Sequence, residues 1–360
     1  MIRPSLEVSP FLDKYGKFKI GILTNQSGLT ASGVQNIDFL LSKGFNIEKI
    51  FIPEHGLRGD KGGGERMNDH TDPFYGVPVI SLYDEKMMID PEKLSGIDCF
   101  VYDIQDVGAR FYTYISTLRS VMLTISGNGL SLPVVVLDRP AFLGSAHQGT
   151  LPGQLNFLAP EHIPVRYGMT PGEFALFVKE KNVMDIDLRV IKMEGYRKGM
   201  DYTESGLPFI PPSSAIKNFD TGFYYTGTCL LEGTSLSEGR GTATPFLIFG
   251  CPGMPPLPFS FEGIDWEFTE FTPAQSKHKN TLCKGIRIKE IDRMKAHPFR
   301  DTVRFLISLY REQPYDFLLP HFDNLAGGSF LREMIMSGNK EAFLTRLEKD
   351  ENSFTFTSIY

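Results

Sequence analysis

Cysteine and tryptophan are scarce in this chain, with four cysteines and one tryptophan in 360 residues. Cys99, Cys229, Cys251 and Cys283 lie far apart, so there is no C-x-x-C metal or redox motif and no disulfide framework. Cys99 falls in an apolar run, where a buried thiol is expected. A basic surplus is also lacking. The formal charge is −6 with no long block of like charge, which argues against a nucleic-acid partner. No run of 18 apolar residues occurs, so no integral membrane segment is expected. Phosphate-binding signatures are missing too. The first strand-like run is followed by NQSGLTASG, which does not fit G-x-G-x-x-G, and no P-loop is present. No G-x-S-x-G elbow exists for a hydrolase nucleophile. Chemistry without a cofactor or metal is therefore expected. The N-terminal stretch MIRPSLEVSPFLDKYGKFKI has no signal-peptide apolar region. With Met1 as the native start the protein is expected in the cytoplasm; with a trimmed export signal, in the periplasm or secreted.

What is present is ordinary apolar content, 41% hydrophobic and 22% charged, enough for a sizeable core. Glycine and proline make up about one residue in six, which assigns much of the chain to shaped loops. The first half alternates strand and helix patterns. Strands are predicted at 18–24, 47–53, 77–82, 97–103, 132–137 and 188–193. Helices are predicted at 36–42, 112–126 and 170–181, the last opening with a Thr170-Pro171-Gly172-Glu173 capping box. This alternation predicts an α/β fold with a mainly parallel sheet. From Pro208 to Pro258 the chain reads as loops. A strand at 285–291 and helices at 298–311, 329–337 and 340–350 follow. The division falls near residue 205, giving 1–205 as an α/β domain and 206–360 as a smaller α+β domain.

Ligands of open parallel sheets bind beyond the carboxyl ends of the strands. Here those ends run into polar groups: Asn25, Glu54-His55-Gly56, Asp103 with Gln105, Asp106 and Arg110, and Asp138-Arg139. Parallel neighbours would bring Asn25, Glu54, Asp103 and Asp138 to one rim. Asn25 or Asp138 alone also fits a simple Asx turn. Glu54 is not a usual turn former, though an ion pair with Arg58 or Arg66 is the plain alternative. The loop from Glu54 to His70 carries Asp60, Glu65, Asp69 and Gly62-Gly63-Gly64 in a spacing that matches no metal signature. It reads as a substrate-contacting loop. Tyr112 and Tyr114 beside carboxylates suit a sugar or, equally, a core at a helix start. A second polar, glycine-rich cluster, Glu232 to Thr242, holds Glu238 and Arg240 and is placed to close over the first.

These motifs carry a resemblance. LTNQSG (23–28), PEHGLRGD (53–60), DIQDVGARFYTYIST (103–117), VLDRP (136–140), PVRYGMTPGE (164–173) and GTCLLEGTSLSEGRGTATPF (227–246) resemble the exo-β-N-acetylmuramidase family of peptidoglycan recycling. The resemblance spans nearly the whole chain. Two stretches depart from the family pattern, Ala141-Phe142 and Pro212–Asn218, and both are expected to shape the substrate pocket. The resemblance implies a Rossmann-like domain plus an auxiliary domain with the active site between them. It also implies a glycosidase releasing N-acetylmuramic acid from the non-reducing end of muropeptide or glycan fragments, with Glu54 as the favoured catalytic residue. His55, Asp103 and Asp106 are its expected catalytic companions, with Glu65 and Glu238 as further candidates for the second carboxylate. Asn25, Arg58, Glu65, Gln105, Arg110, Tyr112, Asp138, Arg139, Glu232, Glu238 and Arg240 are expected to bind substrate, with one of the arginines on the lactyl carboxylate. Another hydrolase or transferase in the same cleft, or a carbohydrate-binding protein without activity, is the competing reading.

Overall fold

In the first half of the chain, elements alternate as the apolar runs predict: α1 (Ser9–Tyr15), β1 (Lys19–Thr24), α2 (Asn36–Ser42), β2 (Asn46–Ile52), β3 (His70–Thr71), β4 (Pro78–Ser81), β5 (Cys99–Asp103), α3 (Tyr114–Gly127), β6 (Val134–Leu137), α4 (Pro171–Lys181) and β7 (Leu188–Ile191). The computed structural model describes residues 2–83 and 88–360; Met1, on which the expectation of a native start rests, lies outside them. One seven-stranded sheet runs β3-β4-β2-β1-β5-β6-β7, and only β3 is antiparallel. Strands such as Cys-Phe-Val-Tyr-Asp and Val-Val-Val-Leu are apolar throughout because both sheet faces are covered. The chain steps from β1 to β2 and β4, then crosses back to β5, so its direction reverses between β1 and β5. The predicted capping box of α4 is complete: Thr170 Oγ1 accepts from the Glu173 N–H, and Glu173 returns to the Thr170 N–H.

The second half contains α5 (Tyr202–Ser205), α6 (Phe219–Thr228), β8 (Ile248–Cys251), β9 (Ile264–Phe271), β10 (Cys283–Ile291), α7 (Pro298–Glu312), α8 (His321–Ala326), α9 (Phe330–Ser337) and α10 (Lys340–Ser353). Strands β8, β10 and β9 form a small antiparallel sheet. Here the loop reading of 208–258 is corrected, since α6 and β8 lie inside it. Every α6 residue from Thr221 to Thr228 is buried, so the helix has no polar face to mark a 3.6-residue period. The fold class is as predicted: a mainly parallel α/β sheet with a smaller antiparallel unit.

One apolar cluster runs from Leu23 through α3 and α6 to Phe354 and joins the two halves. A second fills the other sheet face under α1 and α2. The last residues return to the first half, where the Tyr360 hydroxyl donates to Asp138 at 2.8 Å and Ser358 donates to Glu173 at 2.6 Å. Among the described residues no helix is long and apolar enough to cross a membrane.

Candidate active site

The polar groups after β1, β2, β5 and β6 gather along one edge of the sheet, but most are roofed over. Asn25 is fully buried, and its Oδ1 accepts from the Ser27 N–H and hydroxyl, an Asx turn. Asp103 Oδ1 accepts from Arg139 Nε at 2.6 Å, and its Oδ2 accepts from Asn36 Nδ2 at 2.7 Å. Asp138 accepts from the Gly172 N–H and the Thr170 hydroxyl, closing the start of α4. Gln105 donates to the carbonyls of Asp106 and Pro140. Asp106 accepts from the Gly108 N–H and the Tyr167 phenol. Burial pushes its carboxyl up to about 7.

Segment 208–212 lies over the crevice where the strand order reverses. It leaves a space of about 10 Å³ beside Ser27, Gln105, Asp106 and Phe142. The position where open α/β sheets bind ligands is therefore filled. The geometry sets aside Asp103 and Asp106 as catalytic groups, and Asn25, Gln105, Asp138 and Arg139 as substrate contacts, because none of them lines the open cleft. Arg110 is corrected as well. It is fully buried and donates to the carbonyls of Thr150, Ile163, Leu325 and Ala326, which staples the 150–163 loop to α8. Of the two departures from the family pattern, Phe142 packs among Tyr202, Phe209 and Phe219, away from the cleft.

The open cleft, about 890 Å³, lies to one side, between the end of β2, the entry of α3 and the second half of the chain. Glu54 enters it directly after β2. Its Oε1 accepts from the Gly64 N–H at 2.7 Å and its Oε2 from the Thr113 hydroxyl at 2.6 Å. Among the described residues no arginine pairs with it; Arg58 reaches Asp72 at 3.1 Å, outside the cleft. His55 holds φ 71°, the left-handed region that non-glycine residues seldom adopt. Its ring lies 6.1 Å from that of Tyr112, and its Nδ1 is 3.0 Å from the Lys61 carbonyl. Gly62 to Gly64 line the cleft, while Glu65 braces this loop from outside by accepting from the Gly62 N–H. Tyr112 stands edge-on to Tyr114 and Tyr225, with centroids at 4.8 and 5.9 Å.

The facing wall belongs to the second half. Glu232 Oε1 accepts from Arg240 Nε at 3.0 Å and also from its Nη2. Glu238 sits between Lys277 Nζ at 2.9 Å and Arg240 Nε at 3.5 Å. The Arg240 guanidinium lies over the Phe246 ring at 5.1 Å. Thus Glu54, His55, Tyr112, Glu232, Glu238 and Arg240 share one cleft, although the first three are far in sequence from the others. Sequence reasoning missed Thr113, the 156–158 segment, Lys277 and Asn324, which also line it. Thr113 sits inside a motif that was recognised, whereas nothing near Lys277 in the chain marks it. Ser213 to Ile216, the second departure from the family pattern, do line the cleft.

Cleavage of a sugar linkage generally uses two carboxyl groups on either side of the bond, and this cleft sets Glu54 opposite Glu232 and Glu238; together with its family matches, the chain falls in the glycosidase class. Residues 20–220 match the N-terminal model of exo-β-N-acetylmuramidase NamZ, and residues 223–358 match its C-terminal model. The chain belongs to this family. It is 35% identical to the peptidoglycan β-N-acetylmuramidase NamZ of Bacillus subtilis over 94% of this chain and 85% of that protein. Two crystal structures of DUF1343 family proteins from Bacteroides fragilis share the fold, each at 26% identity. One has a TM-score of 0.86 over 99% of both chains, the other 0.78 over 98% of this chain and 97% of that one.

Proposed function

We propose that this protein is an exo-acting glycosidase that removes N-acetylmuramic acid from the non-reducing end of peptidoglycan-derived glycans, with Glu54 as its acid. The observation that carries the reading is the Glu54 carboxyl, held on both oxygens at the edge of a sugar-sized cleft. Protonated Glu54 gives its proton to the glycosidic oxygen as the bond to the anomeric carbon breaks, so the leaving sugar departs as a neutral alcohol. A water oxygen supplies the new bond to that carbon, and its proton passes to a base. Of the carboxylates on the facing wall, Glu232 is the accessible one, with a side chain 20% exposed against 2% for Glu238. Arg240 remains from the three arginines weighed for the lactyl carboxylate, because Arg58 lies outside the cleft and Arg110 is buried in a staple. In this reading residues 1–205 form the catalytic part and 206–360 the auxiliary part that closes the cleft.

The test is incubation with an aryl β-N-acetylmuramide whose aryl ring carries no electron-withdrawing group, so that the leaving oxygen needs a proton. Wild type releases the aryl alcohol, and Glu54→Gln loses at least about a hundredfold in rate, as expected for removal of a general acid. Equal release by both overturns Glu54 as the acid. Binding without release by wild type leaves a carbohydrate-binding protein in its place.

A further inference from the structure

Thr113 occupies the position just before α3, where a threonine hydroxyl normally accepts from a backbone N–H of the first helical turn. Here it does not. The residue has helical φ/ψ (−74°, −3°), and its side chain makes no cap hydrogen bond. The hydroxyl points instead to Glu54 Oε2 at 2.6 Å. The helical backbone takes this hydroxyl out of capping geometry, and its hydrogen bond goes to a carboxylate in the cleft instead.

The two partners of Glu54 differ in kind. The Gly64 N–H only donates, and it fixes Oε1 as an acceptor. A hydroxyl both donates and accepts, so it keeps its place beside Oε2 whether the carboxyl is protonated or ionised. As a proton leaves the carboxyl, the Thr113 O–H meets growing negative charge and the hydrogen bond strengthens.

We infer that Thr113 is a positioning residue for the proton transfer, acting through Glu54: it orients the carboxyl and stabilises the charge left on it once the proton has gone. This rests on the proposed role of Glu54. Among the described residues, the other titratable groups that share the cleft or its floor with that carboxyl include His55 beside it, Tyr83, Tyr112 and Tyr114 at the entry of α3, and His321. Across the cleft lie the Glu232–Arg240 and Glu238–Lys277 pairs. A change at Thr113 leaves all of them in place.

The experiment measures kcat, KM and the pH profile of kcat for wild type, Thr113→Val and Thr113→Ser on the aryl β-N-acetylmuramide. Valine keeps the shape and deletes the hydroxyl; serine keeps the hydroxyl and deletes the methyl. Thr113→Val is expected to lower kcat about tenfold, the effect of losing one hydrogen bond to a charged group, with KM unchanged. Its alkaline limb, set by the proton donor, moves about one pH unit higher. Thr113→Ser restores both. An unshifted profile with wild-type kcat in Thr113→Val overturns the inference. So does an equal loss in Thr113→Ser, which would assign the effect to packing. Thr113→Ala replaces valine if that variant does not fold. Adding Thr113→Val to Glu54→Gln is expected to change nothing further, and an additional tenfold loss there overturns action through Glu54. Failure of the underlying reading is distinct, since Glu54→Gln would then release alcohol at the wild-type rate.

Discussion

Asp103 gives the sharpest contrast between a strand-end carboxylate proposed to catalyse and one that holds the fold. It ends β5, is fully buried, and accepts from Arg139 Nε on one oxygen and Asn36 Nδ2 on the other. Arg139 is itself 3% exposed. Replacing Asp103 with asparagine removes the charge. Whichever way the new amide turns, its NH2 faces either the Arg139 or the Asn36 donor. Breaking one side of a buried ion pair costs about 3–5 kcal/mol, because the remaining charge is left uncompensated. For 360 residues the unfolding entropy near the midpoint is about 0.76 kcal/mol per kelvin at 2.1 cal/mol/K per residue. The expected drop in Tm is therefore about 4–7 °C, if the chain unfolds as one cooperative unit. Calorimetry measures it, and kcat on the aryl muramide is read well below the transition, where the protein is folded. A Tm within a degree of wild type together with a hundredfold loss of kcat would refute this reasoning and return Asp103 to the catalytic machinery. Asp103→Leu with Arg139→Met supplies a second check: removing both charges is expected to recover most of the lost stability.

Two further outcomes follow from the same structure. Asp106 holds its proton up to about 7, against an ordinary carboxyl value of 3.8, because burial disfavours its charge. Between about pH 4 and 7 the folded chain therefore binds more protons at this site than the unfolded chain. Stability falls as pH rises, by at most about 1.4 kcal/mol per pH unit from this group. Asp106→Asn is expected to flatten the decline of Tm between pH 5 and 8, leaving the part that Asp138 contributes with the same sign; parallel curves for the two proteins would refute it. Arg240→Lys keeps the charge but loses the planar fork. It is expected to lower kcat/KM for the muramide about tenfold or more relative to the matching N-acetylglucosaminide, the value of a charge-assisted hydrogen bond. Arg58→Ala, outside the cleft, is expected to leave that ratio unchanged, and an unchanged ratio in Arg240→Lys would remove Arg240 from recognition of the carboxylate.

Local patterns in the sequence carried much of the architecture. The Asn36–Ser42 helix, the capping box at Thr170 and the apolar runs of β1, β5 and β6 are legible because each depends on neighbours a few residues away. The long ordered motifs were enough to indicate the family, and Glu54 stood out because glutamate is not a usual turn former. Helix α6 was hidden because from Thr221 onward it is buried on every side, so little of a polar face remains to mark its period. The rim of carboxylates was legible, but not what lies over it. Whether a strand-end side chain meets solvent or a roof depends on segments distant in the chain: Arg139 over Asp103, residues 208–212 over Gln105 and Asp106, and the returning Tyr360 over Asp138. Only the folded chain brings Thr113, Lys277 and Arg240 into the cleft that holds Glu54. Periodicity and capping are short-range effects that a sequence displays directly. Burial is a long-range one, and here it decided which of the polar strand ends are buried supports and which one opens into the cleft.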